Sequence, residues 1–165
     1  MCGIAGIVYR DRRPEEAAAV VRRMIEVQRH RGPDGRGFRD ATGASLGHCR
    51  LAIIDPTDAG HQPMADPDGR YWITFNGEIY NYIELAEELR SSGYRFRGRS
   101  DTEVLLAAYQ TWGAGCLERL RGMFAFAVWD EKTQCLFAAR DRLGIKPLHY
   151  WTDGSRTFAF ASEIK

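Results

Sequence analysis

By position, Cys2 is the residue in this chain best suited to act as a nucleophile. It follows Met1, and processing enzymes generally remove an initiator Met that precedes a small side chain. Removal leaves Cys2 carrying both a thiol and a free α-amine. The thiolate is the reactive form, and a free Cys is only slightly ionised at neutral pH. An α-amine titrates near ~8, so it can accept the thiol proton and return it later. Nucleophile and general base then share one residue. Gly3 adds no side chain beside the thiol. A small buried Cys behind an initiator Met has the same local sequence, since free Cys is among the most buried residue types. Position alone leaves both readings open.

Three further places carry groups that acyl transfer needs. Asn76-Gly77 sets a side-chain amide beside a glycine N–H, a pair of donors able to hold an oxyanion. The same dipeptide is a common hairpin turn. Arg50 stands against the apolar run Leu51-Ala52-Ile53-Ile54. A guanidinium is rarely buried unpaired, and its fork fits a carboxylate. It can equally pack its stem and leave its head in water. Asp101 follows Ser100 at the start of a helix pattern, where it suits the dipole or could bind an ammonium group. Arg29-His30-Arg31 offers three more donors, or simply a basic helix end.

These residues need elements to position them. Gly3 to Tyr9, with Ile4, Ile7 and Val8, reads as a buried strand that would hold the N-terminus rigidly. Pro14 can open a helix, with Glu15 and Glu16 in its first turn, and Ala17, Val20, Val21, Met24, Ile25 and Gln28 keep helical spacing. Gly32-Pro33 ends it. Phe38 to Asp40 and Ala44 to Ile54 read as a hairpin across Thr42-Gly43, and residues 55–68, with three prolines, as a loop. Arg70 to Phe75 predicts a strand that ends at Asn76-Gly77. Asn81 is placed to cap the amphipathic run Tyr82 to Arg90, so Asn76-Gly77 joins strand to helix. Tyr94 to Phe96 predicts a short strand. Ser100 and Glu103 form a capping box ahead of a helix that closes at Gly113. Gly115 to Arg121 reads as one short helical turn. Hairpins then pair Met123–Trp129 with Gln134–Ala139, and Pro147–Trp151 with Arg156–Phe160. Ser162 to Lys165 looks like a helix cap and first turn, as in a domain cut from a longer protein or one half of a split system.

Composition excludes several classes. The formal net charge of +1 gives no footprint for nucleic acid or an anionic membrane surface. No apolar run approaches the ~20 residues that span a bilayer. The N-terminus lacks a signal peptide's positive region. The 4 Cys are scattered with no CxxC pair, which argues against zinc and against thioredoxin-type chemistry. Reduced thiols in a cytoplasmic protein fit best. The length suits one domain with a sizeable core.

Taken together, Met1-Cys2-Gly3-Ile4, Arg31-Gly32-Pro33-Asp34, Arg50-Leu51-Ala52-Ile53, Phe75-Asn76-Gly77-Glu78-Ile79-Tyr80-Asn81, Ser100-Asp101-Thr102-Glu103 and Phe160-Ala161-Ser162-Glu163-Ile164-Lys165 carry a family resemblance. Over essentially the whole chain, 1–165, the sequence resembles the glutaminase domain of class II glutamine amidotransferases, within the N-terminal-nucleophile hydrolases. It is most similar to the glutaminase half of glutamine-dependent asparagine synthetases. The resemblance implies an α+β fold, an αββα four-layer sandwich of two antiparallel sheets between helices. It implies that Cys2 attacks the glutamine side-chain amide, that Asn76 and the Gly77 N–H form the oxyanion hole, and that Arg50 and Asp101 hold the α-carboxylate and α-ammonium. Leu51, Ile53, Ile54 and Glu78 complete the implied substrate site, with backbone groups of Ile53 and Glu78 assisting. No metal and no cofactor is implied for this domain. ATP and Mg belong to a synthetase domain whose Ser-Gly-Gly-rich phosphate loop this sequence lacks. The implied partners are L-glutamine and an ammonia-accepting synthetase domain or subunit, with a homodimer left open. Two other classes stand beside this reading: an N-terminal-nucleophile amidase acting on a different amide, and a non-catalytic regulatory domain.

Overall fold

A computed structural model of the chain describes residues 1–10 and 17–164. The expected helix start at Pro14, Glu15 and Glu16 lies outside them, as does Lys165. Nine strands and four α-helices are present among the described residues. The strands form two antiparallel sheets. One has the order β2-β3-β1-β9-β8, built from β2 (Gly35–Ala41), β3 (Ala44–Arg50), β1 (Gly3–Tyr9), β9 (Thr157–Ala161) and β8 (His149–Thr152). The other has the order β4-β5-β6-β7, built from β4 (Met64–Ala65), β5 (Tyr71–Ile79), β6 (Gly122–Asp130) and β7 (Cys135–Arg140).

Strand alternation sorts the side chains into layers. On β1, Ile4 faces the second sheet, where it joins Leu46, Phe160, Ala125, Ala127 and Trp129 in a core between the sheets. Ala5 and Ile7 face the other way, against Val21 and Ile25 of helix α1 (Ala17–Val27). On β6, Ala125, Ala127 and Trp129 point inward. Phe124, Phe126 and Val128 point outward to helices α2 (Tyr82–Ser91) and α3 (Asp101–Trp112), where Leu85, Leu89, Leu105 and Leu106 cover them. The layers are therefore α1, first sheet, second sheet, then α2 with α3: the αββα sandwich expected from the resemblance. The short helix α4 (Cys116–Arg119) precedes β6.

Several local expectations are corrected. The strand after Gly43 stops at Arg50 and does not run to Ile54. Asn76-Gly77 is no terminus: β5 continues through it to Ile79, in unbroken register with β6. Tyr94 to Phe96 forms no strand. The rings of Tyr94 and Phe96 pack on each other, with centroids 4.7 Å apart, and the following loop is tied by the Glu103 carboxylate, which accepts from the Arg97 and Gly98 N–H groups at 2.8 Å each. That leaves only half of the expected capping box. Ser100 Oγ accepts from the Glu103 N–H at 3.2 Å, but the Glu103 carboxylate is engaged by the loop. Asn81 precedes α2 without capping it; its amide bridges the Arg119 carbonyl and the Arg121 N–H. Ser162 to Ile164 make no helical turn. The Ser162 hydroxyl accepts from the Ile4 N–H at 3.0 Å instead, and so lashes the end of β9 to β1.

Candidate active site

The sequence-derived site residues come together in one cavity of about 230 Å³, lined by Cys2, Arg50 through Ile54, Asn76, Gly77, Glu78, Asp101, Met123 and Lys146 among others. It opens where β1 begins, β3 ends, β5 emerges and α3 starts. A larger cavity of about 720 Å³ lies by the β2–β3 and β8–β9 turns. It holds none of these groups. Among the described residues no cluster of His, Cys, Asp or Glu could hold a metal ion.

Cys2 immediately precedes β1, whose Gly3 pairs with Cys49 of β3. Its Sγ lies 3.4 Å from the Leu51 N–H nitrogen and 3.6 Å from the Leu51 carbonyl. Burial pushes the thiol pKa above its ordinary value, against a lowering contribution from the Leu51 hydrogen bond. The thiol is therefore protonated at neutral pH and needs a base. Met1 is still attached here, so the Cys2 nitrogen is an amide. The remaining cysteines are free. Burial pushes Cys49 and Cys116 up to about 11, which makes both poor nucleophiles.

Period-2 geometry aims β5 at this thiol. Thr74 reaches across to the Gly47 carbonyl of the first sheet, and Asn76, two residues on, points to the same side. Asn76 is buried, and its Nδ2 has no hydrogen-bond partner. A buried donor left unpaired is costly and rare, and it is what an oxyanion site requires of the free protein. The backbone supplies the second donor. The Phe75 N–H turns away from β6 and donates to Gln62 Oε1 at 2.6 Å. The Ile79 N–H turns the same way and donates to Asp101 Oδ2 at 3.0 Å. Gly77, midway between them in an unbroken ladder, directs its N–H to that side also. A Cβ at Gly77 would collide with the Met123 carbonyl, so the close approach of β6 demands glycine.

Asp101 is only 5% exposed at the first position of α3. Burial raises its pKa to about 6, with the Glu78 charge adding to the rise and the Ile79 hydrogen bond opposing it. It remains an anion at neutral pH, at an energetic cost that an incoming cation would relieve. Arg50 points its guanidinium at the Asp55 carbonyl on the cavity rim. The segment after it is fixed by the Asp34 carboxylate, which accepts from the Ala52 N–H at 2.8 Å. Leu51, Ile53, Ile54 and Glu78 all line the cavity, although Ile53 is 73% exposed at its mouth.

Three supporting residues are not singled out by sequence reasoning. Gln62, in the proline-rich loop, bonds Phe75 through its oxygen and Thr102 Oγ1 through its nitrogen at 3.1 Å. It thereby clamps the neighbours of Asn76 and Asp101 together. His48 Nε2 sits 3.1 Å from the Phe75 carbonyl, so Nε2 carries the proton. Burial lowers its pKa to about 3, which keeps it neutral. Lys146 is a buried lysine beside the site. A buried glutamine or lysine leaves no periodic signal; Arg31, one of three adjacent donors in sequence, is separated from them by contact alone. Its Nε donates to the Cys2 carbonyl at 2.9 Å.

Cys2 at the mouth of β1, with the Asn76 amide and the Gly77 N–H of β5 in the same cavity, sets a thiol beside two donors, the groups that acyl transfer from an amide needs. Residues 1–165 match the family described as a glutamine amidotransferase domain, and the chain belongs to that family. It is similar to asparagine synthetase [glutamine-hydrolyzing] 1 of Bacillus subtilis, 45% identical over 167 residues that cover 100% of this chain and 26% of that protein. It is also similar to the amidase chry2 of Gibberella zeae, 40% identical over 176 residues, again 100% of this chain and 26% of the relative. The chain thus spans about a quarter of the length of these relatives. A solved structure of glutamine phosphoribosylpyrophosphate amidotransferase from B. subtilis, complexed with ADP and GMP, shares the fold, with a TM-score of 0.81 at 24% identity over 98% of this chain and 42% of that one. Among the described residues no helix is long and apolar enough to cross a membrane.

Proposed function

We propose that this chain hydrolyses the side-chain amide of L-glutamine to glutamate and ammonia through a thioester on Cys2. The observation that carries the reading is the unpartnered Asn76 Nδ2 in one cavity with the Cys2 thiol, Asp101 and Arg50. After Met1 is removed, the Cys2 amine takes the thiol proton and Sγ bonds to the amide carbon. The oxyanion takes hydrogen bonds from Asn76 Nδ2 and the Gly77 N–H. The C–N bond then breaks, and the amine returns its proton so that ammonia leaves. Water, activated by the same amine, cleaves the thioester and restores the thiol. Asp101 receives the α-ammonium and Arg50 the α-carboxylate, with Leu51, Ile53, Ile54 and Glu78 around them. Every step uses protein groups and water. ATP and Mg serve, on this reading, a synthetase domain or subunit that consumes the ammonia, and a cytoplasmic setting keeps the thiol reduced. The relatives bear different names, synthetase and amidase, so the reading fixes the ammonia donor and not its acceptor.

Asn76→Ala tests the carrying observation. It is expected to lower kcat about a hundredfold with little change in KM, because the lost donor acts on charge that exists only in the transition state. An unchanged kcat with a raised KM would make Asn76 a substrate-binding residue instead. Arg50→Ala is expected to be milder, since the guanidinium sits at the rim and already has the Asp55 carbonyl. KM for glutamine should rise about tenfold, or ~1.4 kcal/mol, with kcat nearly unchanged. Steady-state ammonia release measures both.

A further inference from the structure

We propose that Glu163 is a positioning residue for Cys2, acting through Arg31; the inference rests on the glutaminase reading above. Once Met1 is gone, no residue precedes Cys2 to hold it. Its orientation then depends on β1 behind it, on the Leu51 backbone beside its Sγ and on what grips its carbonyl. Arg31 Nε makes that grip at 2.9 Å, and Arg31 Nη1 reaches Glu163 Oε1 at 2.9 Å. The Arg31 side chain is 9% exposed and that of Glu163 17%, so this pair is largely withdrawn from water. A guanidinium in that setting needs its counter-charge, because an uncompensated buried cation is strongly disfavoured and turns toward solvent. Glu163 is itself fixed from the neighbouring position. Ser162 Oγ accepts from the Ile4 N–H at 3.0 Å, and the Ser162 N–H donates to the Ile4 carbonyl at 2.9 Å. His30 Nε2 adds a contact of 3.0 Å to the same Glu163 oxygen. Glu163, just beyond β9 and 161 residues along the chain from the nucleophile (163 − 2), thus reaches the Cys2 carbonyl through the Arg31 side chain. Fixing that carbonyl fixes the Cα of Cys2, the pivot from which both the amine and the Sγ extend. An error near 1 Å in such a placement costs about a hundredfold in rate.

The test uses Met1-free protein and compares the parent with E163A, E163Q, R31M and R31M/E163A. Glu163→Ala is expected to lower kcat about tenfold with KM for glutamine within about twofold, since the nucleophile and not the substrate site is disturbed. Glu163→Gln keeps an acceptor for Arg31 Nη1 but not the counter-charge, so its kcat should fall between those of E163A and the parent. In the R31M background, E163A should cost nothing more, because its effect has lost its carrier. Parental kcat in E163A, or the same tenfold loss repeated in R31M, overturns the inference. The parent is assayed first: a parent that releases no ammonia sinks the glutaminase reading, not this one. NMR of the Arg31 Nε–H then judges Glu163 without turnover. Its signal should resist solvent exchange in the parent and lose that resistance in E163A; retained protection overturns the inference.

Discussion

Cys2→Ser removes glutamine turnover while leaving the fold and the cavity in place. A hydroxyl is far less acidic than a thiol, and the Cys2 amine, titrating near ~8, cannot deprotonate it usefully. The expected loss is about four orders of magnitude or more in kcat, the scale seen when a nucleophile is taken from a cooperating set. The substitution replaces one small side chain by another at the start of β1, where the strand is held by its register with β3 and β9. Thermal unfolding should therefore be nearly unchanged. Glutamine should still bind, since Arg50, Asp101 and the β5 donors are untouched. Calorimetric titration of the variant with glutamine reads that binding, and ammonia release reads the loss. Turnover near the parental rate would move the nucleophile elsewhere, yet burial has already pushed Cys49 and Cys116 up to about 11.

Asp101→Asn is expected to make the protein more stable and much less active. Burial raises the Asp101 pKa to about 6, whereas an unfolded Asp keeps its ordinary value of 3.8. A carboxyl whose folded pKa is raised contributes stability that is fully present below the unfolded value and lost as pH rises through the folded one. Above pH 6 the buried anion therefore costs stability, on the order of 2–3 kcal/mol for a gap of this size. Asparagine keeps an oxygen for the Ile79 N–H but carries no charge. At pH 8 its unfolding midpoint should exceed the parent's by about 4–12 °C, and the gain should vanish toward pH 4, where Asp101 is protonated. Activity moves the other way. The substrate ammonium loses its partner in a desolvated site, and kcat/KM should fall on the order of a thousandfold. In the parent, KM for glutamine should climb as pH drops below about 6, the value at which Asp101 takes up its proton. An Asp101→Asn protein that is less stable at pH 8 and fully active would make Asp101 a helix-capping charge and nothing more.

Much of this is legible in the residues, and the exceptions have physical causes. Short apolar runs bounded by turn residues mark β1, β5, β6 and β9 as strands, because each buries side chains on both faces. The four layers come only with the family resemblance and the strand order only with the structure, since periodicity is silent on which strand pairs with which. Asn76-Gly77 reads as a strand end because Asn-Gly so often turns. Tertiary pairing with β6 overrides that preference and carries β5 two residues further, to Ile79. Asp101 is locally indistinguishable from a cap residue; its burial against Ile79 and Glu78 is a long-range fact. The residues that sequence reasoning misses, Gln62, His48 and Lys146, owe their places to long-range packing, and what sets Arg31 apart from its basic neighbours is its contact with Cys2; no local spacing encodes either. Ser162-Glu163 reads as a helix start for the same reason: their hydrogen-bonding groups are used by Ile4 and Arg31, far away in sequence.

The central claim is that Cys2, freed of Met1, attacks glutamine through its own amine and thiol. Two preparations of the same chain test it, one shown by intact mass to lack Met1 and one shown to retain it. Each is incubated with L-glutamine and no ATP, and glutamate and ammonia are followed together. The Met1-free protein should release the two in equal amounts, and acid quenching during turnover should trap a glutamyl adduct on the Cys2 peptide. The Met1-bearing protein should do neither. Equal rates from both preparations, or turnover with the adduct on another residue, would contradict the account.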